Sequence, residues 1–423
     1  MKIRHSGISL RSVAIVVAAI LLMTAGFWML SQSSPPVVKA QTGLGGPLPN
    51  LTSLETTMFN SGLSVFIRRW DSVHGLGPVF TNTACSLCHA SPTVGGASIT
   101  KNTFFGTINP DGSFNPLTNE GGMFLQPFSI QRFTPGCVLR GEVVPTDATV
   151  RARHLTPEVF GMGLIDSIPD DDIRAQAIDK GMGIQGIVSE IVDEKGQLRV
   201  GKYGYKAQFA TVMQIAASAL HHDIGITNPV PGEDAEDLPQ GLPIPPACIV
   251  ASELNDDGSN LMAIFHYVMY LAPNTPGTGN TNGQTLFNSD ATGCYKCHNP
   301  TYTTGPKIAM PLHWGDPTTI FSKALSSQPV NLYSDLLLHD MGARLSDGLP
   351  LTSSATATMF RTTPLWGLST RISNGFGLLH DGRTTSVDSA IRAHGGEATQ
   401  SITLYKGLAV QDQNDLIAFI SSL

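Results

Sequence analysis

The chain has 423 residues, with 26 Lys and Arg against 33 Asp and Glu and a formal net charge of −7. That acidic balance argues against a nucleic-acid partner, whose phosphates call for clustered positive charge. Charged residues are only 14% of the chain, and 43 Gly and 28 Pro predict a loop-rich fold in which an apolar cofactor replaces part of the side-chain core.

The first element in chain order is a leader. Lys2, Arg4 and Arg11 precede an apolar run from Val13 to Leu30, and Val38-Lys39-Ala40 is a small-x-small cleavage site. Residues 1–40 therefore read as an export signal, with the mature chain starting at Gln41 and located in the periplasm. The alternative is an uncleaved membrane anchor over residues 13–30, since that length is the lower limit for a spanning helix. Loss of the four basic residues Lys2, Arg4, Arg11 and Lys39 leaves 22 Lys and Arg against 33 acids, so the mature chain is more acidic still.

Two five-residue strings follow, CSLCH (Cys85, Cys88, His89) and CYKCH (Cys294, Cys297, His298). A Cys-x-x-Cys-His run is the attachment signature of c-type haem: two thiols three positions apart match the two vinyl groups, and the next residue supplies an axial imidazole. Two strings predict two covalent haems, with His89 and His298 on the irons. A four-cysteine zinc ribbon would place its pairs within about 20 residues of each other, and a thioredoxin-like site does not need the His. Haem attachment outside the cytoplasm agrees with the export signal. Of six cysteines, Cys137 and Cys248 remain, and in an oxidising compartment they read as a structural disulfide.

Between the strings, GIVSEIV and QLRVGKY form a hairpin signal turning at Asp193–Gly196. A helix is predicted over Gln208–His222 and another over Leu261–Leu271. The stretch Asn228–Ala247, rich in Pro, Gly and acid, reads as an exposed connection. GQTLFNSDATGC, from Gly283, contains a short helix before the second string. Leu416, Ile417, Phe419, Ile420 and Leu423 recur at helical spacing and predict a closing helix. RHLTPEVFG and GKYGYKAQ after the first string answer RTTPLWG and LLHDGR after the second, the order expected of an ancient duplication. The expected architecture is mainly α, with two cytochrome c-like haem domains, long loops and a small β-hairpin. The domains would span residues 41–250 and 251–423.

In order, GLGPVFTNTACSLCHASPTVGG, FGMGLIDSIPD, GKYGYKAQ, IGITNP, YSDLLLHDMG, RTTPLWGL and LLHDGR followed by HGGEA resemble the di-haem oxidoreductase and peroxidase family, related to bacterial di-haem cytochrome c peroxidases. The resemblance covers most of Gly75–Leu423. It implies two haem domains facing across a cleft, one haem storing electrons and the other meeting peroxide.

The resemblance also nominates residues. His394, fourteen positions beyond His380, falls where the peroxidases carry the second ligand of the electron-transfer haem, typically Met; His there implies bis-His ligation and a lower potential. His339 and Met341 are the alternative ligands. Gln214 aligns with a distal Gln, and Asp223, one residue off the family spacing, with the acid that moves a proton during O–O cleavage. His222 and His221 could also carry that proton; the competing reading is an ordinary helix C-terminus, where His is favoured by the dipole. Tyr205 and Trp366 are candidates for an aromatic relay between haems, or are plain core. Arg361 and Arg383, with Lys202 and Lys206, could pair with haem propionates, or be solvated surface charge. Some relatives hold calcium, but no motif here nominates its ligands.

The leading functional expectation is reduction of hydrogen peroxide with electrons from a small cytochrome or cupredoxin, without nucleic acid and with a membrane only if the leader is uncleaved. The alternatives are haem-dependent oxidation of an organic or protein substrate, and a bis-His electron carrier closed by His154, His221 or His222. A thiol oxidoreductase, a label also given to this family, would rest on Cys137 and Cys248 alone.

Overall fold

The computed structural model describes residues 43–251 and 253–423; the predicted leader and anchor lie outside them. The main helices are α1 (Ser53–Phe66), α2 (Val212–Ile224), α3 (Ser259–Tyr270), α4 (Thr281–Phe287), α5 (Val387–Ala393) and α6 (Val410–Ile420). Thr52 opens α1 with a capping box, its hydroxyl accepting from the Glu55 N–H at 3.2 Å while Glu55 Oε2 accepts from the Thr52 N–H at 2.7 Å. The buried face of α1, including Phe59, Leu63 and Phe66, packs on α3. Phe59 and Phe66 lie 5.1 and 4.8 Å from the Tyr267 ring. Gly62 makes the crossing possible, because a Cβ there would overlap the Ala263 carbonyl.

A second helix pair repeats this logic near the C-terminus. α4 lies against α6, with the Phe287 and Phe419 rings 5.4 Å apart, and a Cβ on Gly283 would overlap the Asp415 carbonyl. Leu378, Val387, Tyr405, Leu416 and Leu423 complete this smaller core. The larger core runs from Leu48 to Leu337 and draws on both sides of residue 250, since Leu261, Phe265 and Tyr267 of α3 belong to it.

Short strands join these helical groups. β1 (Lys101–Ile108) pairs antiparallel with β2 (Val150–Leu155), in a register that sets Asn102 opposite His154. β3 (Glu190–Val192) and β4 (Leu198–Val200) form the expected hairpin; Asp193 Oδ1 accepts from the Lys195 and Gln197 N–H groups, and Gly196 sits at φ 76°. β5 (Leu338–Asp340) and β6 (Met359–Arg361) place His339 opposite Phe360. Cys137 and Cys248 are joined in a disulfide, Cα atoms 4.8 Å apart.

The expectation of a mainly α fold is corrected. Among the described residues there are six small sheets alongside the helices, giving mixed α and β content rather than two discrete helical haem domains. Most of these strands have two to four residues, too short for the two-residue alternation that marks a strand in sequence. The halves are also stitched together by backbone bonds, such as Leu155 N–H to the His380 carbonyl at 2.7 Å. No described helix is long and apolar enough to cross a membrane.

Candidate functional site

CYKCH opens on one wall of a cavity. Gly293, at φ 70°, turns the chain into a short 3-10 segment, Cys294–Lys296. Cys294, Cys297 and His298 line a space of about 1650 Å³ free of protein atoms, counting its open mouth. The same cavity is lined by His394, just after α5, and by Tyr205, Arg361, Trp366, Phe360 and Met341.

His298 Nδ1 donates to the Tyr333 carbonyl at 3.0 Å, and His394 Nδ1 to the Ala390 carbonyl at 2.7 Å. A carbonyl can only accept, so each ring carries its proton on Nδ1 and leaves the Nε2 lone pair free. Desolvation pushes His298 down to about 4 and also lowers His394, so both imidazoles are neutral at neutral pH. This is the tautomer and orientation an axial iron ligand needs.

The cavity also holds an uncompensated cation. Arg361 donates from Nε to the Gly204 carbonyl at 3.0 Å and from Nη1 to the Thr362 carbonyl at 3.2 Å. It has no carboxylate partner among the described residues, and burial pulls its guanidinium down to about 10. A haem propionate would supply the missing anion. Thiols, neutral imidazoles, apolar walls and an unpaired guanidinium together fit a covalently attached haem.

His339 and Met341 differ from His394. Both ring nitrogens of His339 are taken, Nδ1 by Glu397 at 2.8 Å and Nε2 by Asp335 at 3.0 Å. Burial opposes its charge, but its contacts with Asp335, the Cys297 sulfur and Glu397 outweigh burial and push it up to about 12. His339 is thus an imidazolium in the wall, beside Cys297, rather than a free ligand. Met341 also lines the cavity.

CSLCH is a short helix, Cys85–Cys88, ending at His89, whose Nδ1 lies 3.3 Å from the Gly96 carbonyl. Burial lowers His89 to about 4, against the opposing pull of the Gly96 and Pro157 carbonyls. The four string thiols are free, whereas Cys137 and Cys248 are bonded to each other.

Asp223, near the end of α2, docks on the segment entering CSLCH. Its main-chain carbonyl accepts from the Thr81 and Asn82 N–H groups at 2.9 and 3.0 Å. Its Oδ1 accepts from Thr81 Oγ1 at 2.8 Å and Asn102 Nδ2 at 3.1 Å. Desolvation raises the Asp223 carboxyl; after burial, its charge is the next cause raising the Cys85 and Cys88 thiols. The carboxylate therefore sits beside the first string.

The remaining nominated residues fall elsewhere. Gln214 is at the opposite end of α2, where Thr211 accepts from the Gln214 N–H at 3.1 Å and Gln214 Oε1 accepts from the Ala210 N–H at 2.8 Å. The Thr-x-x-Gln spacing signals this capping arrangement. His222 Nδ1 meets Asp237 at 3.1 Å, and its ring stacks on His221. Arg383 is paired with Asp381 at 2.7 Å and lines a separate polar cavity with Lys101, Arg151 and Arg153. Lys202 and Lys206, offered as propionate partners, are instead fully buried on Asp170 and Asp347 at 2.9 and 3.0 Å.

Tyr205 lines the cavity at CYKCH and reaches β2. Its hydroxyl donates to the Leu155 carbonyl at 2.9 Å, and its ring is 5.2 Å from His154 and 6.3 Å from His380. His154 Nε2 meets Asp347 at 2.9 Å and faces Asn102 across the β1–β2 register. Composition gave no sign of this His154–Tyr205–His380 cluster, because its members are distant in sequence and meet only through the sheet.

Comparison with curated proteins finds no match. Among solved structures, a hydrazine synthase chain from Kuenenia stuttgartiensis, studied under 20 bar of xenon, is 14% identical over 92% of this chain and 100% of that one, with a TM-score of 0.35. That likeness is too low to carry an argument. A family model described as "Di-haem oxidoreductase, putative peroxidase" matches residues 131–423, a span containing CYKCH, Arg361 and His394 and beginning after CSLCH. On that match, the chain belongs to the di-haem oxidoreductase family.

Proposed function

We propose that the protein is an exported di-haem c-type oxidoreductase that reduces hydrogen peroxide to water, with electrons from a small cytochrome or cupredoxin. The observation that carries this reading is the inequality of the two attachment strings. Near CYKCH a second neutral imidazole, His394, shares the cavity of His298. Beside CSLCH there is a desolvated carboxyl, Asp223.

Haem at both strings would supply the redox chemistry, storing an electron at one and reducing the O–O bond at the other. Cys294, Cys297, His298 and His394 would hold the storage group, and Arg361 would neutralise one of its carboxylates. Cys85, Cys88 and His89 would hold the other. Reduction of one peroxide consumes two electrons and two protons. Asp223 is suited to moving a proton: Thr81 and Asn102 fix Oδ1, and Oδ2 has no partner among the described residues. Its raised pKa favours carrying a proton toward neutral pH. Tyr205, held through the Leu155 carbonyl and packed on His154, is the aromatic candidate for relaying electrons from the cavity at CYKCH.

The test is steady-state oxidation of a reduced donor by peroxide, with wild type and Asp223→Asn. The variant should lose about 10²–10⁴-fold in turnover with both haem spectra intact. Full activity in the variant would remove Asp223 from the mechanism, and no wild-type turnover with several donors would remove the peroxidase reading.

A further inference from the structure

The last turn of α2 carries a second constellation that the haem chemistry does not use. The His221 and His222 rings stack with centroids 4.5 Å apart, and both face carboxylates from the acidic connection that follows. His221 Nδ1 lies 2.8 Å from Glu233 Oε2. In a neutral ring this contact places the proton on Nδ1 and leaves Nε2 as a lone pair. That Nε2 is buried without a hydrogen-bond partner, in a side chain only 3% exposed. The acidic atom it faces, Asp237 Oδ2, is 3.6 Å away and has no proton to give when ionised. A buried acceptor without a donor is a cost that native interiors rarely leave standing.

We propose that His221 Nε2, His222 Nδ1 and Asp237 Oδ2 bind a divalent zinc-class ion, with Glu233 holding the imidazoles from behind. One ligand atom from each of His221, His222 and Asp237 lies within 4.8 Å of the other two. A tetrahedral ion with ligands at about 2.0–2.1 Å sets ligand atoms roughly 3.3–3.4 Å apart. Asp237 Oδ2 lies 3.6 Å from His221 Nε2 and 3.1 Å from His222 Nδ1, which brackets that spacing. Glu233 Oε2 meets the far nitrogen of each ring, at 2.8 Å for His221 and 3.7 Å for His222. This is the carboxylate–histidine–metal relay that fixes the tautomer of a ligating imidazole.

Ion pairing with Asp237, at 3.1 Å for His222 and 3.6 Å for His221, still leaves His221 Nε2 beyond hydrogen-bond reach. An ion satisfies both rings and the carboxylate together. The donor set of two imidazoles and one carboxylate selects zinc or a neighbouring transition metal over calcium or magnesium. The side chains of His222 and Asp237, 33% and 25% exposed, leave an entry path and room for a water as fourth ligand. The metal would pin the connection carrying Glu233 and Asp237 to the end of α2, next to Asp223 and the segment leading into CSLCH. The site stands independently of the peroxidase reading.

The test uses the full haem-loaded protein, stripped with a chelator and titrated with zinc by calorimetry, with zinc and iron counted by mass spectrometry. The expected result is one zinc per chain in wild type, with Asp237→Asn losing at least 10-fold in affinity. Glu233→Gln should keep the stoichiometry but bind about 10–100-fold more weakly. Unchanged haem absorption in each variant shows that the fold is intact. Wild type taking up no zinc, or Asp237→Asn binding as tightly as wild type, would overturn the proposal.

Discussion

His298 and His394 line one cavity, and each gives its Nδ1 proton to a backbone carbonyl, of Tyr333 and Ala390 respectively, leaving both Nε2 atoms toward the cavity. The proposed ligand pair is thus oriented by main-chain carbonyls. Replacing His394 by Met should keep six-coordination while favouring ferrous iron. A redox titration of His394→Met should show one of the two haem potentials moving upward, by a fraction of the about 0.8 V that axial ligands span, and the other unmoved.

Asp170 anchors a buried charge cluster through Arg199 at 2.6 Å and Lys202 at 2.9 Å. Burial raises its carboxyl, but Arg199, Lys202 and the Val200 N–H outweigh burial and hold it well below the usual carboxylate range. A depressed carboxyl contributes stability above its unfolded pKa of about 3.9, and that contribution is lost as pH falls through the folded value. Asp170→Asn should cost about 3 kcal/mol at pH 7, because Lys202 has no exposed surface on which to recover hydration. Denaturant unfolding at pH 7 and pH 3 should show the gap between variant and wild type narrowing at the lower pH.

The Cys137–Cys248 bond closes 111 residues of chain, holding the start of the segment before β2 to the end of the acidic connection. Replacing both cysteines by Ser should cost about 2–5 kcal/mol without altering the spectrum of the haem at CYKCH, because neither residue lines that cavity. Chemical denaturation followed by both fluorescence and haem absorption measures the two together.

Gly283 lets α4 approach α6 until backbone meets backbone, and Ala there would place its Cβ on the Asp415 carbonyl. The helices must separate, which loosens the contact of Phe287 with Phe419 next to the second string. Gly283→Ala should destabilise by roughly 1–3 kcal/mol, read as a lower midpoint in thermal unfolding monitored at the haem band.

The attachment strings, the helices around residues 212, 261, 283 and 416, and the Asp193–Gly196 turn were all legible in the sequence, because each rests on local spacing. The small sheets were not, since strands such as Tyr302–Thr303 and Pro329–Val330 exist only through their partners. The same distinction runs through the site. The resemblance nominates His394 through a spacing along the chain, whereas His154 beside Tyr205, Arg361 without a counter-ion and Glu233 behind His221 depend on tertiary contacts. Gln214 shows the reverse hazard: an alignment nominated it for chemistry, while its Thr-x-x-Gln setting marks a helix cap.

Electron paramagnetic resonance of the ferric protein separates the two proposed haem centres by spin state. Unequal ligation of the two irons predicts a low-spin bis-imidazole signal that His394→Ala converts to high spin, while the signal of the haem at CSLCH stays unchanged. An unaltered low-spin signal in His394→Ala would contradict it.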